Sequence, residues 1–236
     1  MNKMFNGKMK AITFSYDDGV TQDQRLIRLF NKYGLKATFN LNSGYFGTAN
    51  SLVREDVTVA HCKPRASEVR KIYEGHEIAS HTLTHPMLTS LDEDAIVKQV
   101  EEDRLALSDI AGYEVVGFAY PGGGQNHDRR VADIIKSSTG VKYARTIISS
   151  YSFEPQTELY TFKPTVYHHR EWDKMEQLAD EFLLLKPDSP KYMYIWGHAY
   201  EFDIHDDWDR FEEFLKRISG KSDIFYGTNR QVLLGE

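Results

Sequence analysis

Five side chains in three separate stretches could bind a cation and move protons: Asp17 with Asp18, His81 with His85, and His198. Thr13-Phe14-Ser15-Tyr16-Asp17-Asp18-Gly19 is an apolar run that ends in two carboxylates and a glycine. Side chains of an extended strand alternate faces, so both aspartates reach one site only if the chain turns there, which Gly19 permits. Taken alone, the segment reads more readily as an Asp-Gly turn whose carboxylates bond local amides. Ser80-His81-Thr82-Leu83-Thr84-His85-Pro86 sets two imidazoles four residues apart. Pro86 disfavours the helical conformation at His85, so the spacing predicts a compact turn. Two imidazoles plus one carboxylate leave positions open on a metal for water and a carbonyl oxygen, as hydrolysis requires. Lys191 to His198 is largely apolar and delivers one more histidine at its end, a residue that in isolation reads as hydrogen-bonded and structural.

Groups so far apart in sequence need a scaffold to gather them. Short β-rich runs alternate with helical stretches along the chain, the pattern of a parallel sheet wrapped by helices. Strands are expected at 11–16, 37–41, 76–80, 115–119, 143–147, 162–167, 192–196 and 223–226, with a small extra strand at 57–60 inside an excursion over 50–64. Helices are expected at 21–33, ending at Gly34; at 67–74, ending at Gly75; and at 92–111, opened by Ser90 at capping-box spacing from Glu93 and closed by Gly112. Two more fall at 172–185 and 208–218. Eight strands favour a closed or nearly closed (β/α) barrel over a doubly wound sheet. In either fold, reactive groups gather at the carboxyl ends of strands, where Asp17-Asp18-Gly19, His81, Pro121-Gly122, Arg145 and His198 all fall.

On these motifs the chain resembles the polysaccharide deacetylases, carbohydrate esterase family four. The family's Thr-Phe-Asp-Asp-Gly motif is similar to Phe14-Ser15-Tyr16-Asp17-Asp18-Gly19, its His-Ser/Thr-x-x-His-Pro motif is matched in full by His81 to Pro86, and its late strand ending in histidine resembles Ile195 to His198. The resemblance implies a distorted (β/α) barrel of about seven strands, so that one of the eight lies outside the wall. It implies Asp18, His81 and His85 as metal ligands, Asp17 as general base and His198 as general acid, with a divalent cofactor for which zinc is the default. Where the family has Phe-Arg-x-Pro-Tyr-Gly, this chain reads Phe118-Ala119-Tyr120-Pro121-Gly122-Gly123-Gly124. The arginine that orients the base in the family is thus absent at Ala119, and Arg145 is the candidate substitute. Tyr120, Pro121, Gly122, Arg145 and Trp196 are the candidates for substrate and oxyanion contacts. Glu171-Trp172 is only a loose match to the family's Asp and Trp pair. The expected reaction is removal of an acyl group, N-acetyl from an amino sugar or oligosaccharide. The alternatives are hydrolysis of another small-molecule C–N bond and a catalytically silent carbohydrate- or metal-binding domain.

Composition narrows the partners. A formal net charge of −6 without long runs of one sign offers no footprint for nucleic acid or an acidic bilayer. The lone Cys62 excludes an intramolecular disulfide. No linker-like stretch divides residues 1–236, so one domain is expected, and without an apolar leader ahead of the first strand the expected location is cytoplasmic. An acetylated sugar or small molecule is the expected partner; the sequence leaves the oligomeric state open.

Overall fold

The computed structural model describes residues 4–236. Its centre is β1 (Lys10–Asp17), buried at all eight positions, as a strand covered on both faces must be. Beside it run β2 (Ala37–Leu41) and β9 (Lys191–His198), both parallel to it. Outward from β2 follow β5 (Glu77–Ser80), β6 (Gly117–Ala119) and β7 (Tyr143–Arg145); outward from β9 lies β8 (Val166–Tyr167). These seven strands, in the order β7-β6-β5-β2-β1-β9-β8, form one curled parallel sheet, a half-barrel. Its edges meet through one parallel bridge between Arg145 and Phe162. The expected strand 162–167 is therefore a broken stave: Phe162 bonds β7 at one end, and Val166–Tyr167 bonds β9 at the other. The eighth strand, β10 (Ile224–Tyr226), forks off the amino-terminal end of β1, outside the seven-strand path.

Alternation along β1 separates two environments. Ile12, Phe14 and Tyr16 point into the apolar layer shared with the helices, where Phe14 meets Phe30 at 4.8 Å between ring centroids. Thr13, Ser15 and Asp17 take the opposite face, where Thr13 donates to Asn229 and Ser15 accepts from Asn40. This inner face is polar and hydrogen-bonded, with Glu77 held by Thr38 and Tyr143. A buried polar network is tolerable only when its members find partners, and Asp17 stands at its upper end.

The helices pack outside. They include α1 (Asp23–Lys32), which buries Leu26, Ile27 and Phe30, and α2 (Ala66–Ile72). The expected long helix is α3 (Glu93–Val97) and α4 (Asp103–Ala111) joined by a π-helical turn over Lys98–Glu102. It closes at Gly112, φ +77°, as expected. Its start differs: Asp92 caps it by accepting from the Ala95 amide, while the Ser90 hydroxyl is turned back to the Met87 carbonyl. There follow α5 (Arg129–Ser138), α6 (Trp172–Leu184), α7 (Glu201–His205), α8 (Trp208–Ile218) and α9 (Asn229–Leu233). The excursion is a two-stranded antiparallel hairpin, β3 (Ser51–Arg54) and β4 (Val57–Ala60), standing over the carboxyl ends of the parallel strands. Among the described residues no helix is long and apolar enough to cross a membrane.

Candidate metal centre and catalytic cavity

A cavity of about 790 Å³ opens at the carboxyl ends of β1, β5, β6 and β9. Asp17, Asp18, His81, His85 and His198 all line it. The chain reaches this convergence by turning sharply. Asp18 takes φ +80° and Gly19 φ +59°, so the turn begins on the aspartate itself, one residue earlier than the glycine alone predicted. Thr82 (+69°) and His85 (+54°) are also left-handed. For His85, Pro86 does exclude the helix, but the backbone goes left-handed rather than extended. Non-glycine residues hold such conformations at a cost of order 1–3 kcal/mol and need fixing by their surroundings. The Thr82 hydroxyl accepts from the His85 amide at 3.0 Å, and the Asn42 amide donates to the carbonyls of His81 and Thr82.

Asp18 Oδ1 lies 3.7 Å from Nε2 of both His81 and His85. That is long for a hydrogen bond. It is close to the roughly 3.3 Å separation of ligands held at about 2 Å around one tetrahedral ion. One donor atom from each of the three residues falls within 4.8 Å of the others. His81 Nδ1 sits 2.8 Å from the Ala119 carbonyl, which can only accept, so Nδ1 carries the proton and the Nε2 lone pair faces Asp18. Burial pushes the His81 imidazole down to about 4, keeping it neutral, as a ligand must be. Burial works against the Asp18 charge, but the His61 hydrogen bond, with Lys63, His198 and His81 nearby, holds its carboxyl well below the usual range. The donor set therefore fits a divalent cation.

Asp17 is 2% exposed and Arg145 is fully buried. Arg145 Nη2 reaches both carboxylate oxygens of Asp17, at 2.6 and 2.5 Å, and Asn40 donates to Oδ1 at 2.8 Å. The guanidinium also lies over the Trp196 ring, 4.4 Å from its centroid. Arg145 thus meets Asp17 beneath the cavity and is absent from its lining, the place of a residue that positions Asp17. Pro121 is buried and off the wall as well, whereas Tyr120, Gly122 and Trp196 border the cavity. Trp196 is 5% exposed, with Tyr167 stacked on it at 4.4 Å, which is a packed residue and not a free stacking platform.

On the far side, His198 Nδ1 pairs with Glu201 at 3.0 Å, and the same carboxylate accepts from the His198 amide. Burial opposes charge on this imidazole, but the Glu201 charge and hydrogen bond, with Asp18 and Asp17, raise it to about 9. Glu201 itself is held well below the usual carboxylate range: burial opposes, and His198 and His168 outweigh it. The carboxylate beside the histidine is therefore Glu201. Glu171, the loose sequence candidate, instead accepts from Ser149, Tyr151 and the Tyr167 amide, and Trp172 is buried.

Several participants escaped the sequence reading. His61, just past β4, approaches Asp18 Oδ2 at 3.2 Å, and buried Lys63 donates to the Asp18 carbonyl. Asp103, buried in α4, accepts from Ser43, Ser80 and the His81 amide, anchoring the turn that carries both imidazoles. Glu201 had one local signal, a carboxylate three residues after a strand-end histidine. His61 and Asp103 had none, because nothing near them in sequence marks the approach.

A profile of the polysaccharide deacetylase family matches residues 5–144, more than half of the chain. A chitin deacetylase of Pestalotiopsis is 34% identical over 103 residues, 43% of this chain and 30% of that one. The chain spans less than half the length of the curated relatives it matches. Among solved structures, a family 4 carbohydrate esterase domain of a xylanase from the hindgut metagenome of Trinervitermes trinervoides superposes with a TM-score of 0.57 at 16% identity, covering 98% of this chain and 91% of that one. A family 4 acetyl xylan esterase of Clostridium thermocellum, in complex with a cobalt ion, gives 0.55 at 16% identity over 95% and 90%. At such identities the likeness is one of fold.

Proposed function

Since the chain belongs to the polysaccharide deacetylase family, we propose that it is a metal-dependent amide hydrolase that removes an N-acetyl group from an amino sugar or short oligosaccharide. The observation that carries this reading is the convergence of Asp18, His81 and His85 at one cavity, with Asp17 and His198 also on its wall. Two imidazoles and a carboxylate suit zinc, and cobalt, nickel, iron or manganese would fit the same donors. When bound there, a dication would supply Lewis-acid polarisation of the carbonyl and would lower the pKa of water.

The chain's own residues account for the proton movements. Asp17, held by Arg145 and Asn40, takes the proton of the attacking water as its oxygen bonds to the acyl carbon. Gly122 borders the cavity, and its backbone N–H is the proposed donor for the oxyanion that develops on the acyl oxygen. Glu201 engages His198 Nδ1, which leaves Nε2 to give its proton to the departing nitrogen as the C–N bond breaks. Against burial, the Glu201 charge and hydrogen bond raise this imidazole's pKa and so favour the protonated form that acts as that acid. Each positioned proton transfer contributes roughly 10²- to 10⁴-fold in rate.

The cavity size, about 790 Å³, is that of a small-ligand pocket. Gly122 stands where the family carries a tyrosine, so one groove wall is lost and the family's substrate need not carry over; another small-molecule amide is the second reading. Acetate release from N-acetylglucosamine and its oligomers, set beside acetylated xylan and a panel of small amides, tests both. Turnover of the amino sugars that stops on chelation and returns with zinc is expected; turnover that survives chelation would refute the metal-dependent reading.

A further inference from the structure

A second group of cation donors lies at the cavity mouth. Glu55, at the tip of the β3–β4 hairpin, His169, just after β8, and His205, at the carboxyl end of α7, place one donor atom each within 4.8 Å of one another. His169 Nε2 is 3.5 Å from Glu55 Oε1 and His205 Nε2 is 3.0 Å from Glu55 Oε2, with the two imidazole rings 4.8 Å apart. Arg170 Nη2 stands 3.6 Å from the same Oε1. Three segments distant in sequence meet here, and none of the three residues belongs to the catalytic set.

The two Glu55–histidine separations, one to each carboxylate oxygen, lie on either side of the roughly 3.3 Å expected between ligands around a small tetrahedral ion, and all three donors stay within 4.8 Å of one another. The His169 side chain is 4% exposed, so its direction is fixed before any ion arrives, whereas Glu55 and His205 are partly exposed and leave an entry path. The hairpin tip is a two-residue turn in which Glu55 (φ +50°) and Asp56 (φ +63°) are both left-handed, since Arg54 pairs with Val57. Turns of this kind favour Asn-Gly; here the tip instead carries a carboxylate that meets the two histidines.

We infer that Glu55, His169 and His205 form a second divalent-cation site, of the zinc class that takes two imidazoles and a carboxylate, and that a bound ion pins the β3–β4 hairpin across the cavity mouth. Leu52 and Arg54 of this hairpin line the cavity, so the outer ion would fix part of the substrate wall. It would do so without touching the reacting atoms.

The test is zinc titration of the metal-free protein, alone and as His205→Ala, Glu55→Gln and His81→Ala, with backbone hydrogen exchange of residues 51–60 followed in parallel. Two equivalents for the unaltered protein are expected, falling to one in each variant, and zinc should slow exchange in the hairpin of the His81→Ala protein but not of the His205→Ala protein. One equivalent in the unaltered protein, lost on His81→Ala, would overturn the outer site and leave the inner one standing. Two equivalents retained by both His205→Ala and Glu55→Gln would overturn it equally. An outer equivalent that survives while His81→Ala has no effect would instead count against the inner centre alone.

Discussion

Arg145→Met is the most informative single perturbation of the base. The guanidinium is fully buried and bonds both oxygens of an Asp17 that is itself 2% exposed, so removing it strands a carboxylate with the Asn40 amide as its remaining side-chain donor. Breaking a buried pair from one side costs about 3–5 kcal/mol, whereas replacing both charges is often near neutral. Asp17→Asn strands the opposite charge, leaving Arg145 with the Thr146 carbonyl and the Trp196 face. Part of the Arg145→Met cost is lost packing on Trp196, which Asp17→Asn does not share. The double variant should therefore be destabilised by less than the sum of the two singles, with a coupling of about 2–3 kcal/mol. Urea unfolding of metal-free protein measures this without an ion's contribution. Arg145→Lys keeps the charge but not the fork and should fall between. In the metal-loaded protein, Arg145→Met should lower kcat with zinc content unchanged. Single costs that add to within about 0.5 kcal/mol would refute the pairing, and loss of zinc in Arg145→Met would move the role of Arg145 from base to ligand set.

Three further outcomes are expected. In metal-free protein the His198 imidazole should titrate by NMR near 9, and Glu201→Gln should bring it down toward the ordinary value of about 6.5; because this pKa is raised, the stability it confers is complete below about pH 6.5 and is lost as pH climbs through about 9. Asp23 is fully buried and raised to about 8 by that burial, so its ionisation should erode stability between about pH 4 and pH 8, and unfolding of Asp23→Asn should be flatter across that window. Gly122→Ala puts a Cβ at φ +81° and 2.5 Å from Met87 Sδ, which should cost about 1–2 kcal/mol in thermal or urea unfolding and raise KM; Gly123→Ala, whose Cβ meets nothing within 4 Å, is the control.

The strands that deliver chemistry were legible because each is a buried apolar run ending abruptly in a polar residue: β1 into Asp17 and β9 into His198. The His81-to-Pro86 motif was legible because proline and paired imidazoles restrict what the turn can do. Strand ends were less so. Val115 and Val116 are as buried as a strand would be, yet the ladder starts only at Gly117, with the Val115 carbonyl taken by Arg104 and the Val116 carbonyl by the Lys142 amide. The fork of β10 onto β1 and the split loyalty of 162–167 depend on which neighbours lie close, information absent from local pattern. The short helices α7 and α9 carry too few residues for a periodic signal. At the site, Arg145 was proposed from a gap at Ala119, a difference visible in sequence, while His61, Lys63 and Asp103 act through folded proximity alone.

Zinc binding by the inner centre, measured with turnover in a His205→Ala background that silences the outer cluster, tests the central claim most directly. The account predicts one equivalent of zinc in that background, abolished by His81→Ala or Asp18→Asn, and kept by Asp17→Asn although acetate release is lost. Unchanged zinc affinity in His81→Ala and Asp18→Asn, or full turnover in Asp17→Asn, would contradict it.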